Sequence, residues 1–347
     1  MKMLLVCPKF HDIEYGILNS FKRLGMDVYP LFFDMGISEK KYIKRIKLKV
    51  GWNTNKILRE EKKQFNSLAL KMYNEIQPDI VYVIQGRWMS KDTLAIIKKK
   101  SYIALYLWDM ISLFPEMRET FDKYDIIYSF DKRDTKFLKE QGLNAKFKPS
   151  GYDNSIYYPI ECIKKYDVAF VGAMYPERVK MLKALIKEFP DINWAIYGEY
   201  APLRNWIKWV KWRFSSDFRY FKNSNLKKND VNKLYNKSKI VLSIVRENQK
   251  DGWSARLPEV LGAKTFQLTN YYDSVEKEFI GCLDMYKDQK ELIEKIRFYL
   301  KNDQKRNIIA SEGYRKVKEK YSDDILNKII IDDFKNNRIK LENKIES

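Results

Sequence analysis

Three charged residues surround a short apolar stretch in Asp251-Gly-Trp-Ser-Ala-Arg-Leu-Pro-Glu259-Val-Leu-Gly-Ala-Lys-Thr-Phe-Gln-Leu-Thr269. The pattern predicts a strand over Ile240–Val245, a polar loop, a helix opening near Ser254 and a second strand after Gly262. Backbone N–H groups at such a helix start can hold a diphosphate, and Arg256 can add a charge-assisted contact. Pro258 falls in the first turn, where its missing N–H costs little. Glu259 lies one turn in and suits the two hydroxyls of a ribose. The same residues also describe an amphipathic helix whose charges are merely solvated.

Other candidates stand at predicted strand ends. Gly172 closes the strand Tyr166–Val171 and lets a backbone approach a phosphate, and Arg178 in the following helix start can neutralise a leaving diphosphate. A turn glycine and a surface arginine would look the same. His11, Asp109 and Asp131 each follow a strand in the first half. A carboxylate or imidazole there can take the proton of an acceptor hydroxyl, with Asp109 ranked ahead of His11. Against that stand a structural histidine and aspartates that cap the next helix. Inverting and retaining outcomes both stay open.

The elements that must position these residues alternate between strand and helix from the start. Met3–Cys7, Val28–Phe33, Asp79–Ile84, Ile103–Trp108 and Ile126–Phe130 are apolar runs, with Tyr15–Leu24 helical between the first two and Pro30 interrupting the second. Lys287 onward, like Ile37–Tyr73, is charged and helical. A second series begins at Tyr166–Gly172 and continues with Asn193–Tyr197, Ile240–Val245 and Lys264–Thr269. Unbroken apolar strands separated by helices predict parallel sheets covered on both faces. Pro149–Lys165, with its turn residues and prolines, reads as a linker. The expectation is an α/β chain of two Rossmann-like domains, 1–154 and 155–321, with a last helix at about 322–340 returning to the first. A length of 347 residues suits two such cores.

Composition narrows the function. Sixty-six Lys and Arg against 46 Asp and Glu leave a net charge of +20, which favours an anionic partner. One histidine excludes a multi-histidine zinc site, and Cys7, Cys162 and Cys282 fit no metal spacing and read as reduced thiols. The first apolar run stops at Pro8 and Lys9, too short for a secretion signal, and no run reaches the ~20 apolar residues of a spanning helix. The expected setting is cytoplasmic, free or peripheral at the inner face of the plasma membrane.

Asp251 and Glu259, with seven residues between them, resemble the donor-site signature of GT-B glycosyltransferases, Asp replacing the more usual first Glu. More narrowly, Val168–Arg178, Asn236–Ser243 and Arg256–Thr269 resemble the spore-maturation CgeB-like glycosyltransferases. Pro78–Gly86, Leu107–Asp109 and Tyr124–Asp131 extend the likeness more weakly into the first half. The resemblance implies two Rossmann-like domains facing a cleft, with a nucleotide-diphosphate sugar bound mainly by the second and an acceptor by the first. It implies Glu259 on the ribose, Asp251 on the sugar hydroxyls and Arg256 on the phosphates. It also makes Tyr197-Gly198-Glu199 a sugar-nucleotide loop and sets Tyr220-Phe-Lys222 near the base. The donor is then a substrate, and no metal or other cofactor is expected.

Leu203-Arg-Asn-Trp-Ile-Lys-Trp-Val-Lys-Trp-Arg-Phe214 puts Leu203, Trp206, Ile207, Val210 and Phe214 on one helical face, with Arg204, Lys208 and Lys211 on a flank. Trp209, Trp212 and Arg213 widen the belt. Tryptophan with Lys and Arg is the composition of a helix lying in a lipid headgroup layer; packing against the protein and base stacking are the other readings. The basic Lys40–Lys49 can extend the footprint. The favoured reading is sugar transfer to a surface glycan or polyprenyl-linked acceptor in polysaccharide biosynthesis. A sugar-nucleotide epimerase on the same fold and a non-catalytic nucleic-acid-binding or spore-coat-type protein are the alternatives, nucleic acid being the less favoured partner.

Overall fold

The computed structural model describes residues 1–10, 12–34, 54–201, 205–245 and 251–345. His11 and Lys40–Lys49 lie outside the described residues, as do Leu203 and Arg204. The chain forms two compact units, Met1–Pro149 with Asp323–Ser347, and Ser150–Ser322.

In the first unit, β1 (Lys2–Lys9), α1 (Ile13–Arg23), β2 (Asp27–Asp34), α2 (Thr54–Ile76), β3 (Ile80–Ile84), α3 (Lys91–Ile97), β4 (Tyr102–Leu107), β5 (Ile126–Ser129), α4 (Lys132–Glu140) and β6 (Ala145–Phe147) follow one another. The six strands lie in the order β2-β1-β3-β4-β5-β6, all parallel. Alternate residues of β1 feed two different cores: Leu4 and Val6 join one, Met3, Leu5 and Cys7 the other. That is why the strand reads as an unbroken apolar run, since both faces are covered. Pro30 is tolerated because β2 is an edge strand.

The second unit contains β7 (Tyr166–Val171), α5 (Pro176–Glu188), β8 (Trp194–Tyr197), α6 (Trp206–Arg213), α7 (Asp217–Tyr220), β9 (Phe221–Lys222), α8 (Lys228–Asn236) and β10 (Ser238–Ser243). It continues with α9 (Arg256–Gly262), β11 (Gln267–Asn270), α10 (Asp273–Glu278), β12 (Asp284–Tyr286), α11 (Gln289–Lys301) and α12 (Asp303–Lys320). Its order, β12-β11-β10-β7-β8-β9, is again all parallel. The chain runs outward from β7 to β9 and then returns to β10 on the other side of β7. This reversal makes the β7/β10 boundary a switch point, where ligands of open α/β sheets bind outside the carboxyl ends of the strands.

A final helix, α13 (Asp323–Ile345), belongs to the first unit. Ile330, Ile331 and Phe334 enter the core beneath α1. Asp333 accepts from Tyr128 Oη at 2.6 Å, and Arg23 grips Asp324 at 2.8 Å.

Two stretches depart from their expected form. The strand expected from Lys264 begins at Gln267, because Lys264 takes a left-handed turn with φ 53°. The expected linker is folded into the second unit. Tyr152 and Tyr157 are buried there, Ile160 N donates to Asn236 Oδ1 at 2.7 Å, and Asn232 and Asn236 donate to Tyr158 O.

Gly313 lets α12 press on the turn before β12: a β-carbon there would lie 2.6 Å from the Cys282 carbonyl oxygen and 2.9 Å from Leu261 Cδ2. Gly313→Ala should therefore destabilise the protein by about 1–3 kcal/mol despite its better helix propensity. An unchanged or higher denaturation midpoint would show that the backbone gives way freely.

Candidate functional site

The switch point of the second sheet is shaped by two glycines. Gly172 N donates to Tyr197 O at 3.0 Å, and Gly198 N donates to Lys222 O at 3.3 Å, so both glycines continue the sheet at its carboxyl edge. A β-carbon on Gly198 would lie 2.1 Å from Gly172 O and 2.8 Å from Met174 Cε. One on Gly172 would lie 3.3 Å from Arg256 Nη2. Gly172, Gly198 and Arg256 are therefore brought together, with the guanidinium over the end of β7.

Arg256 opens α9 and Glu259 follows one turn later. The Tyr235 phenol lies beside the Arg256 guanidinium, and the Tyr157 phenol lies beside the Glu259 carboxylate. The two tyrosine rings are stacked with centroids 6.3 Å apart. Glu259 is half-buried, and desolvation raises its pKa above the ordinary glutamate value against the opposing pull of Lys228 and Arg256. The loop entering α9 is pinned by Trp253, buried edge-on against Phe279 and Tyr321 with its Nε1 donating to Ser150 O at 3.0 Å. Ser274 Oγ donates to Gly252 O at 3.2 Å, and half-buried Asp251 begins the loop. Asn270 holds the exit of β10 by accepting from Val245 N at 2.7 Å and donating to Val245 O at 3.2 Å.

Arg178 occupies a different role from the one expected. It is buried, its Nη1 donates to Ala173 O at 3.1 Å, and it lies over the Tyr175 ring. It braces the turn between β7 and α5 from within. Tyr220-Phe-Lys222 is also not an open base pocket: Phe221 is core, stacked on Tyr200 at 4.6 Å.

In the first unit, Gln85 closes β3 and Asp109 follows β4. Gln85 Nε2 donates to Asp109 Oδ2 at 3.3 Å from a left-handed backbone with φ 70°. Burial raises the Asp109 pKa, opposed by hydrogen bonds from Gln85 and Trp108 and by Arg87. The nearby helical turn takes its carboxylate from Asp134, which accepts from Ile111 N at 2.9 Å. Asp131 is a helix cap, accepting from Arg133 N and Asp134 N. Beyond β6, Lys148 is buried over the Tyr106 ring, and desolvation lowers its pKa to about 8.

On α6, Trp206 and Phe214 are 68% and 82% exposed, and Ile207 and Val210 also face solvent. Trp209 and Trp212 are half-buried, and Trp212 Nε1 donates to Phe221 O at 3.1 Å. Lys208 turns toward the Tyr200 ring while Lys211 stays exposed. Cys7, Cys162 and Cys282 are free thiols. Among the described residues, no group of three or more His, Cys, Asp or Glu could hold a metal ion, and no helix is long and apolar enough to cross a membrane.

Comparison with known proteins bears on this geometry. A family model described as glycosyl transferase-like matches residues 178–326, which include α9. Among curated proteins no match is found. The structure is similar to sucrose-phosphate synthase from Thermosynechococcus elongatus (TM-score 0.71, 9% identity, covering 98% of this chain and 100% of that one). It is also similar to the E. coli trehalose-6-phosphate structure bound with UDP-2-fluoro glucose (TM-score 0.67, 12% identity, 96% and 99% covered). A third similar chain, from Listeria monocytogenes and provisionally named a UDP-N-acetylglucosamine 2-epimerase, has TM-score 0.62 at 14% identity, with 98% and 97% covered. The fold is GT-B.

A raised folded-state pKa at Glu259 means that ionising the carboxylate opposes folding. Its favourable contribution is complete below the unfolded glutamate pKa, about 4.3, and is lost as pH rises through the raised folded value. Glu259→Gln keeps an acceptor for Tyr157 without titrating, so its melting temperature should gain on wild type as pH rises from about 4 to 8. Parallel melting curves across that range would show that the carboxylate is not held desolvated.

Proposed function

We propose that this chain transfers a sugar from a nucleotide-diphosphate donor to an acceptor hydroxyl. The observation carrying this reading is the meeting of Gly172, Gly198 and Arg256 at the switch point of the second sheet, with Glu259 one turn further on. Arg256 faces the leaving diphosphate, whose charge grows as the bond from the sugar breaks. Glu259, partly exposed beside the Tyr157 phenol, accepts the ribose hydroxyls, and Asp251 accepts from the sugar. The glycosyl transferase-like match over 178–326 and similar structures such as the one bound with UDP-2-fluoro glucose support a nucleotide-sugar donor.

In the acceptor half, Asp109 is the proposed base if the reaction inverts, its basicity raised by burial and its orientation set by Gln85. His11, outside the described residues, is the second candidate. The acceptor hydroxyl loses its proton, its oxygen bonds to the sugar, and the nucleoside diphosphate leaves. The tryptophan- and lysine-rich α6 and the net charge of +20 support a surface-glycan or lipid-linked acceptor.

A thermal-shift panel of UDP-, GDP- and dTDP-sugars tests the donor reading directly. A matching donor at about 100 times its dissociation constant should add ~2.7 kcal/mol to stability. Arg256→Ala should weaken it by about 1.5–3 kcal/mol, the worth of a hydrogen bond to a charged group. Affinity should also fall on acidification, as Glu259 protonates at a higher pH than an ordinary glutamate. Failure of every nucleotide sugar to shift wild type, with Glu259→Ala indistinguishable from it, would sink the proposal. Conversion of an intact nucleotide sugar to its epimer, without release of nucleoside diphosphate, would assign the epimerase reaction instead.

A further inference from the structure

We propose that α6 docks the protein on an anionic phospholipid surface through the stripe formed by Trp206, Ile207, Val210 and Phe214. The stripe faces outward because the opposite side of the helix is committed. Trp212 lies against Phe218 at 4.9 Å and bonds Phe221 O, and Trp209 meets Trp212 at 6.4 Å. With Trp212 anchoring one side and Trp209 resting against it, the remaining large apolar groups are held in water by the fold itself. Trp206 at 68% and Phe214 at 82% exposure are among the most exposed large apolar residues described. A contiguous exposed patch of this kind marks an interaction surface.

Charge identifies the occupant. Lys211 and Arg213 flank the stripe, and α6 contains no acidic residue. Asp217, the nearest acid in the following helix, is already engaged by Lys183 and by Tyr200 Oη, each at 2.7 Å. A second copy of the chain would bring these cations against their own kind, within a molecule already at +20. An anionic headgroup layer satisfies both features together: tryptophan and phenylalanine enter the acyl boundary while the cations meet phosphate. This docking is independent of the donor site and of the activity proposed for it.

The test is co-sedimentation of the full chain with vesicles of phosphatidylcholine alone or with about 30% phosphatidylglycerol, at low and high salt. The expected result is binding to the anionic vesicles that weakens with salt. Trp206→Ser with Phe214→Ser should lower it at least about tenfold. Lys211→Gln with Arg213→Gln should lower it roughly thirtyfold, at about a factor of five per charge. Circular dichroism confirms that the exposed-site variants fold. Absence of vesicle binding overturns the proposal, as does binding that neither pair of substitutions changes. A dimer that the Trp206/Phe214 pair converts to monomer, without vesicle binding, also overturns it in favour of self-association. A nucleotide-sugar thermal shift without vesicle binding rejects docking alone; vesicle binding without that shift rejects only the donor reading.

Discussion

Gly198 approaches the Gly172 carbonyl so closely that a β-carbon would begin 2.1 Å from the oxygen, inside any real contact. The space a side chain would fill instead belongs to the sheet edge, where β7 and β8 end side by side. Gly172 in turn has the Arg256 guanidinium over it, so the first strand of the unit meets the helix that follows its returning strand. Strand order makes that meeting possible: β10 lies against β7, and Arg256 opens the helix that comes next after β10 in the chain. The glycines leave the end of β7 open, and the cation lies over it.

The surrounding residues hold polar groups ready while restricting water. Burial keeps the phenols of Tyr157 and Tyr235 well above the ordinary tyrosine pKa, so they stay neutral. One lies beside the Glu259 carboxylate and the other presents its oxygen toward the Arg256 guanidinium. Trp253 fixes the loop by burying its ring while its indole N–H is satisfied by Ser150 O. A carboxylate retained where desolvation opposes its charge costs stability, and such groups concentrate where a ligand uses them.

Much of the fold was legible because both sheets are parallel and covered on both faces, so central strands appear as continuous apolar runs. The short edge strands β6, β9 and β12 were not, since two or three residues give no periodicity. The helix that carries Arg256 and Glu259 was legible from local spacing. Tyr157, Tyr235, Trp253 and Gln85 were not, because each acts on a partner far away in sequence. Tyr157 sits in a stretch rich in turn residues that reads as a linker, although it touches Glu259 about a hundred residues on. Arg178 shows the limit of local pattern: it suits a phosphate ligand, and in the structure its side chain is buried and donates to Ala173 O in the preceding turn. On α6 the spacing identified the apolar stripe, but periodicity alone does not say which side of a helix with three tryptophans, Ile207 and Val210 faces the core.

Fold similarity at 9–14% identity extends across synthases and a chain provisionally named an epimerase, so chemistry has to be argued from residues. An epimerisation moves a proton at the donor sugar and needs acid and base groups there. Around α9 the Glu259 carboxylate lies beside the Tyr157 phenol, the Arg256 guanidinium lies beside Tyr235, and half-buried Asp251 begins the preceding loop. A group with raised basicity lies in the other unit: Asp109, half-buried and held by Gln85 from a left-handed backbone that a glutamine adopts only at a cost. Each sheet thus carries its own carboxylate shaped by burial, Glu259 in one unit and Asp109 in the other, with desolvation the leading cause of the raised pKa in both.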